Sequence, residues 1–177
     1  IKYGVKEFPI YTRFLEDVKG VGPTMAAVII SGFDITKAQY PSSLWKYAGL
    51  DVVNGDGRSR KKEHLVDQTY TDKDGKVQTK KGISFNPFLK TKLIGVLGSS
   101  FVKTNGEYRD IYDNYKNRIS NMPAHAEKSK GHLNNMAIRY TVKRFLVDLH
   151  RHWRTIEGLP VPSEYSEGKL GMKHRAA

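Results

Sequence analysis

Two glycines separated by one valine stand directly in front of a proline, in the stretch Gly20-Val21-Gly22-Pro23. Glycine adopts positive φ angles without steric cost and lets another backbone approach closely, whereas proline suits the first turn of a helix. The small apolar residues at 25–30 predict a buried helix that ends near Gly32, and residues 11–18 place apolar side chains on one helical face. The sequence therefore predicts two short helices joined by a tight glycine turn.

This arrangement is typical of the helix-hairpin-helix motif, in which a small residue stands four positions after the second glycine. That residue is Ala26 here, and it would let the two helices cross closely while Val21 fills the core. The bare amides of the turn and the following helix N-terminus would form an anion site, flanked by Lys19 and Thr24. Such a site holds a DNA backbone without reading its sequence. The alternative is a tight helix-helix connection that binds nothing.

The charge of the chain favours an anionic partner. Lys and Arg number 30 against 18 Asp and Glu, a net charge of +12, which favours nucleic acid over a membrane surface. The longest apolar run is far below the roughly 20 residues that span a bilayer. Cysteine is absent, so disulfides and thiolate metal sites are excluded. We expect one main body in the cytoplasm, associated with the nucleoid, and the start at Ile1 suggests an upstream part.

Beyond the turn, the sequence predicts helices interrupted by one basic loop. Pro41-Ser42-Ser43 is a helix start, and residues 51–82 are charged and poor in large apolar side chains. Alternation around Asp74-Gly75 predicts an exposed β-hairpin between about residues 64 and 81. Helical periodicity returns at residues 86–101 and 108–119, which we expect to pack together as a helical hairpin, and in the longest element, 132–157.

The predicted fold class is mainly α: a helix-hairpin-helix followed by a helical bundle, with a small β-hairpin insertion. Histidines 150 and 152 point to different helical faces, so we expect them to be exposed instead of forming a zinc pair. The predicted organisation is a helix-hairpin-helix portion at 10–50, a basic loop with the β-hairpin at 51–83, a helical portion of the same domain at 84–158 and an irregular tail at 159–177.

Four segments extend the comparison over residues 10–157: "VKGVGPTMAAVIISGFDI", "YPSSLWKYAGL", "KKGISFNPFLKTKLIGVLGSSF" and "GHLNNMAIRYTVKRFLVDLHRHWR". In this order they resemble the C-terminal transposase domain of the RNA-guided, DEDD-type insertion-sequence recombinases. The resemblance implies DNA as a partner and a guide RNA as a further one. Because recombination joins two DNA partners, it also implies a homo-oligomer, a dimer or tetramer.

The same resemblance divides the chemistry between two domains. In that family an N-terminal RuvC-like domain holds magnesium through acidic residues, and this chain carries no counterpart of that domain. We therefore predict no metal ligand here and expect magnesium only together with a missing N-terminal domain. The C-terminal domain supplies a serine nucleophile from the loop after the "AGL" segment, which implies Ser59, the serine that stands between residues 51 and 82.

A serine hydroxyl becomes a nucleophile only when its proton is removed and the developing charge is stabilised. Ser59 stands among Arg58, Arg60, Lys61 and Lys62, whose charges could clamp a phosphodiester. It precedes an arginine, whereas the family's serine usually precedes a glycine. The alternative is therefore a solvated loop serine with no chemical role.

We expect the DNA-binding domain of a transposase or site-specific recombinase, whose own enzymatic activity the sequence leaves open. The alternatives are a non-catalytic helix-hairpin-helix adaptor that binds DNA or structured RNA by shape, and a structural interaction module. The catalytic candidate is Ser59. The residues predicted to contact DNA are Lys19, Gly20, Val21, Gly22, Thr24, Arg58, Arg60, Lys61, Lys62, Lys80, Lys81, Lys90 and Lys92.

Overall fold

The computed structural model describes residues 4–162, and most of the tail predicted from residue 159 onwards lies outside this range. The chain is mainly helical with a small two-stranded hairpin, as the sequence predicts. The helices are α1 (Pro23–Gly32), α2 (Pro41–Tyr47), α3 (Pro87–Thr91), α4 (Ser99–Lys103), α5 (Glu107–Ser120) and α6 (Lys130–Ile156), with π-helical turns at Tyr11–Leu15 and Lys92–Gly98. Short 3-10 turns lie at Gly4–Glu7, Lys62–His64 and Pro123–His125, and the strands are β1 (Val52–Val53), β2 (Asp56–Gly57), β3 (Val66–Thr71) and β4 (Val77–Gly82).

Helix α6 is the spine of the fold. Its apolar residues recur every three or four positions, so they lie on one face and are removed from water. The buried members of this stripe are Val142, Phe145, Leu146, Leu149 and Trp153. They belong to one hydrophobic core that also includes Val5 and residues of α1 and α2. The N-terminal and C-terminal parts of the chain therefore share a core.

One continuous helix, residues 87–103, is formed by α3, the π-helical turn and α4. Its start is as predicted: the Asn86 Oδ1 accepts a hydrogen bond from the Leu89 backbone amide at 3.0 Å, and Pro87 follows in the first turn. Its buried residues are Leu89, Leu93, Leu97 and Phe101. A spacing of four drifts by about 40° per step around an α-helix. The wider π-helical turn offsets this drift and keeps the stripe on the core.

Helix α5 packs chiefly against α6 and less against the helix before it, so the expected helical hairpin is only part of its packing. The Tyr115 ring stacks on Tyr140 of α6 with centroids 3.9 Å apart, and the Tyr108 hydroxyl donates to Asp148 at 2.9 Å. Burial, together with the Asp148 charge, raises the pKa of Tyr108. The tyrosines of α5 thus fasten it to the spine.

The predicted β-hairpin is present and consists of β3 and β4, paired from Val66 opposite Gly82 to Thr71 opposite Val77. Asp72 organises its turn by accepting hydrogen bonds from the amides of Asp74 and Lys76. Most side chains on both of its faces are exposed, so it contributes little to the core. Strands β1 and β2 form a second, shorter ribbon where the sequence predicts an irregular loop, and Asn54-Gly55 supplies the two positive φ angles of its turn.

The prediction of exposed histidines is wrong for His150. Its ring is buried, and Nε2 donates to the Ala38 carbonyl at 2.9 Å. Burial lowers the pKa of His150, because it disfavours the charged ring. Arg154, one turn further on, donates to the carbonyls of Ile35 and Ala38, and the two side chains together fasten this loop to α6. His152 is exposed and stacks on Phe14.

Within residues 4–162 no helix combines the length and the apolar character needed to cross a membrane.

Candidate nucleic-acid interface

The first glycine of the turn is required by the fold. Gly20 has a φ of +100°, which L-residues rarely adopt, and a Cβ added there would lie 2.9 Å from Cδ1 of Phe101. The Ser100 hydroxyl donates to the Gly20 carbonyl at 2.8 Å, and Val21 is buried, as the sequence predicts. The turn is thus seated on α4 by backbone geometry and one side-chain hydrogen bond.

The second glycine is open to solvent. Gly22 precedes α1 as its N-cap, has an ordinary φ of −84°, and a Cβ added to it would meet no described atom within 4 Å. Pro23 opens the helix, and the exposed Thr24 follows. The side chain of the exposed Lys19 packs against Gly106: a Cβ added at Gly106 would lie 3.0 Å from the Cβ of Lys19. The N-terminus of α1 is therefore exposed at Gly22 and Thr24, and the exposed Lys19 stands three residues before Gly22 in the sequence.

The helices around this turn share one neighbour and differ in the others. The segment before the turn, Tyr11–Leu15, packs against the 3-10 turn Gly4–Glu7 and α6, whereas α1 packs against the same 3-10 turn, α3 and the π-helical turn. Ala26 is fully buried. The close crossing of two helices that the helix-hairpin-helix motif requires stays a prediction.

The loop at residues 51–64, which we call the serine loop, is fastened from inside by Arg58. Its Nε and Nη2 each donate to Asp51 at 2.7 Å, and its Nη1 donates to the Ser84 hydroxyl at 2.8 Å. Arg58 is only 9% exposed, and the hydrogen bond to Asp51 raises its pKa. The sequence predicts Arg58 as a DNA contact, but its donors are engaged within the protein and its place is below the surface.

Ser59 lies next to a histidine that the sequence analysis missed. Its backbone amide donates to Nδ1 of His64 at 2.9 Å, and its hydroxyl oxygen lies 3.0 Å from the same nitrogen. His64 is buried, whereas Ser59 is half-buried. The sequence signal was the histidine five residues after the serine, but its meaning depends on the 3-10 turn Lys62–His64, which returns the ring to Ser59.

Two cationic side chains from elements distant in sequence contact the serine loop. Lys90 of α3 donates from Nζ to the Arg58 carbonyl, and Arg139 of α6 lies so close to Gly57 that a Cβ there would stand 2.8 Å from the guanidinium carbon. Burial, followed by the charge of Arg139, lowers the pKa of Lys90, and burial also lowers the pKa of Arg139. Arg139 was missed because it is remote in sequence.

The other predicted contacts lie nearer the surface. Arg60 and Lys62 are exposed, and Lys61 is exposed and paired with Asp56 at 2.8 Å. The hydrogen bond from Lys61 is also the main reason that the pKa of Asp56 is lowered. In the remaining set, Lys80 lies over the Tyr70 ring, Lys81 pairs with Asp67, and Lys92 lies over the Phe88 ring.

The glycine turn and the serine loop are mounted on the same helix. Ser100 holds Gly20 near its C-terminal end, and Lys90 holds Arg58 near its N-terminal end. Lys90 and Ser100 are ten residues apart along this helix. The structure thus brings Arg58, Ser59 and Lys90 together and places the turn at a separate position along the helix.

Magnesium does not fit the described part of the chain: residues 4–162 contain no group of three or more His, Asp or Glu side chains arranged to hold a metal ion. The chain matches no protein-family model, no curated protein and no solved structure.

Proposed function

We propose that the chain is the DNA-binding domain of a transposase or site-specific recombinase, and that it contacts the DNA backbone without reading sequence. The observation that carries the proposal is the exposed amide end of α1 at Gly22, flanked by Lys19 and Thr24. A helix N-terminus with bare amides attracts phosphate oxygens. The net charge of +12 supplies the long-range attraction that such backbone binding needs.

The serine loop offers the second contact surface of the proposal. Its exposed cations are Arg60, Lys61 and Lys62, and the half-buried Lys90 and Arg139 contact the same loop. We leave Arg58 out of the contact surface because Asp51 and Ser84 occupy its guanidinium. Because the turn and the loop are both anchored on the helix at residues 87–103, we expect one duplex to touch both.

Within this proposal Ser59 is the nucleophile that the family resemblance implies. Strand transfer would then need the acidic, metal-binding domain as a partner, together with a second copy of the chain and a guide RNA. Magnesium would supply electrophilic assistance from that partner domain.

The second candidate is a non-catalytic adaptor that binds DNA or structured RNA by shape. It is favoured by one contact: the Lys61 amide donates to the Ser59 hydroxyl at 3.3 Å, as in an ordinary turn stabilised by a serine. In that case the serine loop is a cationic surface and Ser59 only shapes it.

Gly22→Ala tests DNA binding because it adds a methyl group at the proposed phosphate site and does not strain the backbone. We expect the affinity for a short duplex to fall at least about tenfold, with a smaller salt dependence if a phosphate contact is lost. Gly95→Ala is the matched control, since Gly95 is also exposed with 4 Å of free space around an added Cβ. Fluorescence anisotropy over a salt series measures the affinity and its salt dependence. Equal affinity of the wild-type, Gly22→Ala and Gly95→Ala proteins would refute the phosphate site.

A trapped-intermediate experiment separates recombinase from adaptor. With a suicide DNA substrate and the partner domain added, the recombinase proposal expects a covalent protein-DNA adduct that Ser59→Ala abolishes. An adduct that survives Ser59→Ala removes Ser59 from the chemistry. DNA binding without any adduct supports the adaptor.

A further inference from the structure

The contact between Ser59 and His64 fixes the protonation of the ring. The Ser59 backbone amide can only donate, so the atom it meets at 2.9 Å, His64 Nδ1, must carry no proton. The neutral ring therefore carries its proton on Nε2. Since Nδ1 is an acceptor, the Ser59 hydroxyl at 3.0 Å from it stands as a second donor. The amide thus fixes the tautomer in which the lone pair of Nδ1, which it shares with the hydroxyl, faces the serine.

The surroundings of this pair suit an anionic electrophile. The Lys90 ammonium is held at the Arg58 carbonyl, one residue from the serine, and Arg60 and Lys61 follow it in sequence. The Lys61 amide also donates to the Ser59 oxygen, which leaves the hydroxyl proton free to point at the ring. His64 is buried and Ser59 is half-buried, so the base is shielded while the nucleophile is accessible.

We propose that His64 is the proton acceptor that activates Ser59 for attack on phosphorus. In the step, Ser59 Oγ forms a bond to phosphorus and its proton passes to His64 Nδ1, which gives up the hydrogen bond from the Ser59 amide. The bond from phosphorus to the leaving group breaks, and the leaving group takes the electron pair. With DNA, the leaving deoxyribose oxygen then takes a proton from solvent. The choice of DNA as substrate rests on the proposed function, whereas the activation of Ser59 by His64 does not.

A purely structural role for His64 is the competing explanation, because its ring also anchors the loop through the Ser59 amide. The variant His64→Asn separates the two roles. The asparagine side-chain oxygen can stand where Nδ1 stands and accept the same amide hydrogen bond, but it is no base near neutral pH. His64→Ala removes both the acceptor and the base.

Diisopropyl fluorophosphate reports on serine activation without DNA or a partner domain. Ser59 attacks phosphorus, fluoride leaves with the electron pair of its bond, and His64 takes the proton. We expect Ser59 to be labelled faster than Ser120, which is exposed and donates to a helix carbonyl at 2.8 Å. Proton removal by a positioned base contributes about 10²–10⁴-fold, so His64→Asn should slow labelling at least about tenfold. Peptide mass spectrometry gives the rate at each serine.

The outcomes separate the two explanations. If His64→Asn restores the thermal stability that His64→Ala loses, yet labels as slowly as His64→Ala, His64 is the base. If His64→Asn labels at the wild-type rate, His64 is only structural and the proposal fails. Labelling of Ser59 no faster than Ser120 in the wild-type protein overturns it without any variant. Equal DNA affinity of the Gly22→Ala and wild-type proteins, which would refute the phosphate site, leaves all three results unaffected, so the two proposals fail independently.

Discussion

The glycine turn and the serine loop are mounted on the same helix but are shaped by different forces. Residues adjacent in sequence shape the turn: Gly20 takes a positive φ, Val21 enters the core and Pro23 opens α1. Side-chain contacts shape the serine loop, with Arg58 held by Asp51 within the loop and by Ser84 beyond it. A backbone-determined surface stays the same when charges change, whereas the serine loop depends on which of its groups are ionised.

This difference suits two different tasks. A phosphate site made of backbone amides needs rigidity and a small footprint, which glycine provides. A reactive serine needs a base and cations set within hydrogen-bonding distance, and these come from side chains that the fold assembles. In the proposed function the turn therefore holds a polynucleotide and the serine loop acts on it.

Breaking the anchor of the serine loop should give the largest effect. Arg58→Ala leaves Asp51 without its bidentate partner in a poorly hydrated position, and we expect a loss of about 3 kcal/mol in unfolding free energy. Urea denaturation followed by circular dichroism measures it. Lys81→Ala is the control, because its 2.8 Å pair with Asp67 is well exposed and should contribute less than about 0.5 kcal/mol. Equal losses in the two variants would contradict the assignment of Arg58 as an anchor.

The two glycines of the turn should differ in the next largest effect. Gly20→Ala forces an L-residue to a φ of +100° and brings its Cβ within 2.9 Å of Phe101, so we expect a loss of about 2 kcal/mol. Gly22→Ala has an ordinary φ and free space, and should lose well under about 1 kcal/mol, chiefly from weaker N-capping. Thermal unfolding of both proteins measures the difference. Similar destabilisation would mean that the turn is not held by its positive φ.

The sequence predicts features that depend on neighbouring residues. The turn, the Asn86 cap and the stripe of α6 all follow from spacing or from a single residue type, so they could be found before the structure. The Ser84 partner of Arg58 and the burial of the His150 ring could not, since hydrogen bonds across 26 and 112 residues require the tertiary fold. The π-helical turn was hidden because its apolar spacing of four also fits an α-helix.

The candidate site also has features that the sequence predicts and features that only the tertiary fold reveals. The charges around Ser59 are visible in the sequence, but which of them face solvent is not, and Arg58 proved to be internal. His64 was overlooked because a histidine five residues from a serine carries no periodic signal. Arg139 comes from α6 and reaches the serine loop only after the bundle has formed.

The charge dependence of the serine loop should produce the smallest effect, through Lys90. Burial and the charges of Arg139, Arg58 and Arg60 lower its pKa below the 10.5 of an unfolded lysine, although Asp51 opposes this. Between the two pKa values the unfolded chain binds more protons than the folded protein, so the unfolding free energy rises with pH across that window.

In Lys90→Met this contribution is absent, so the stability of the wild-type protein relative to the variant should improve from neutral pH to about pH 10. Lys92→Met is the control for removing a nearby lysine. Urea denaturation at each pH measures the difference in unfolding free energy between the wild-type protein and Lys90→Met. If this difference is constant across the range, Lys90 is as solvated as a surface lysine. The serine loop would then be less sensitive to charge than its contacts imply.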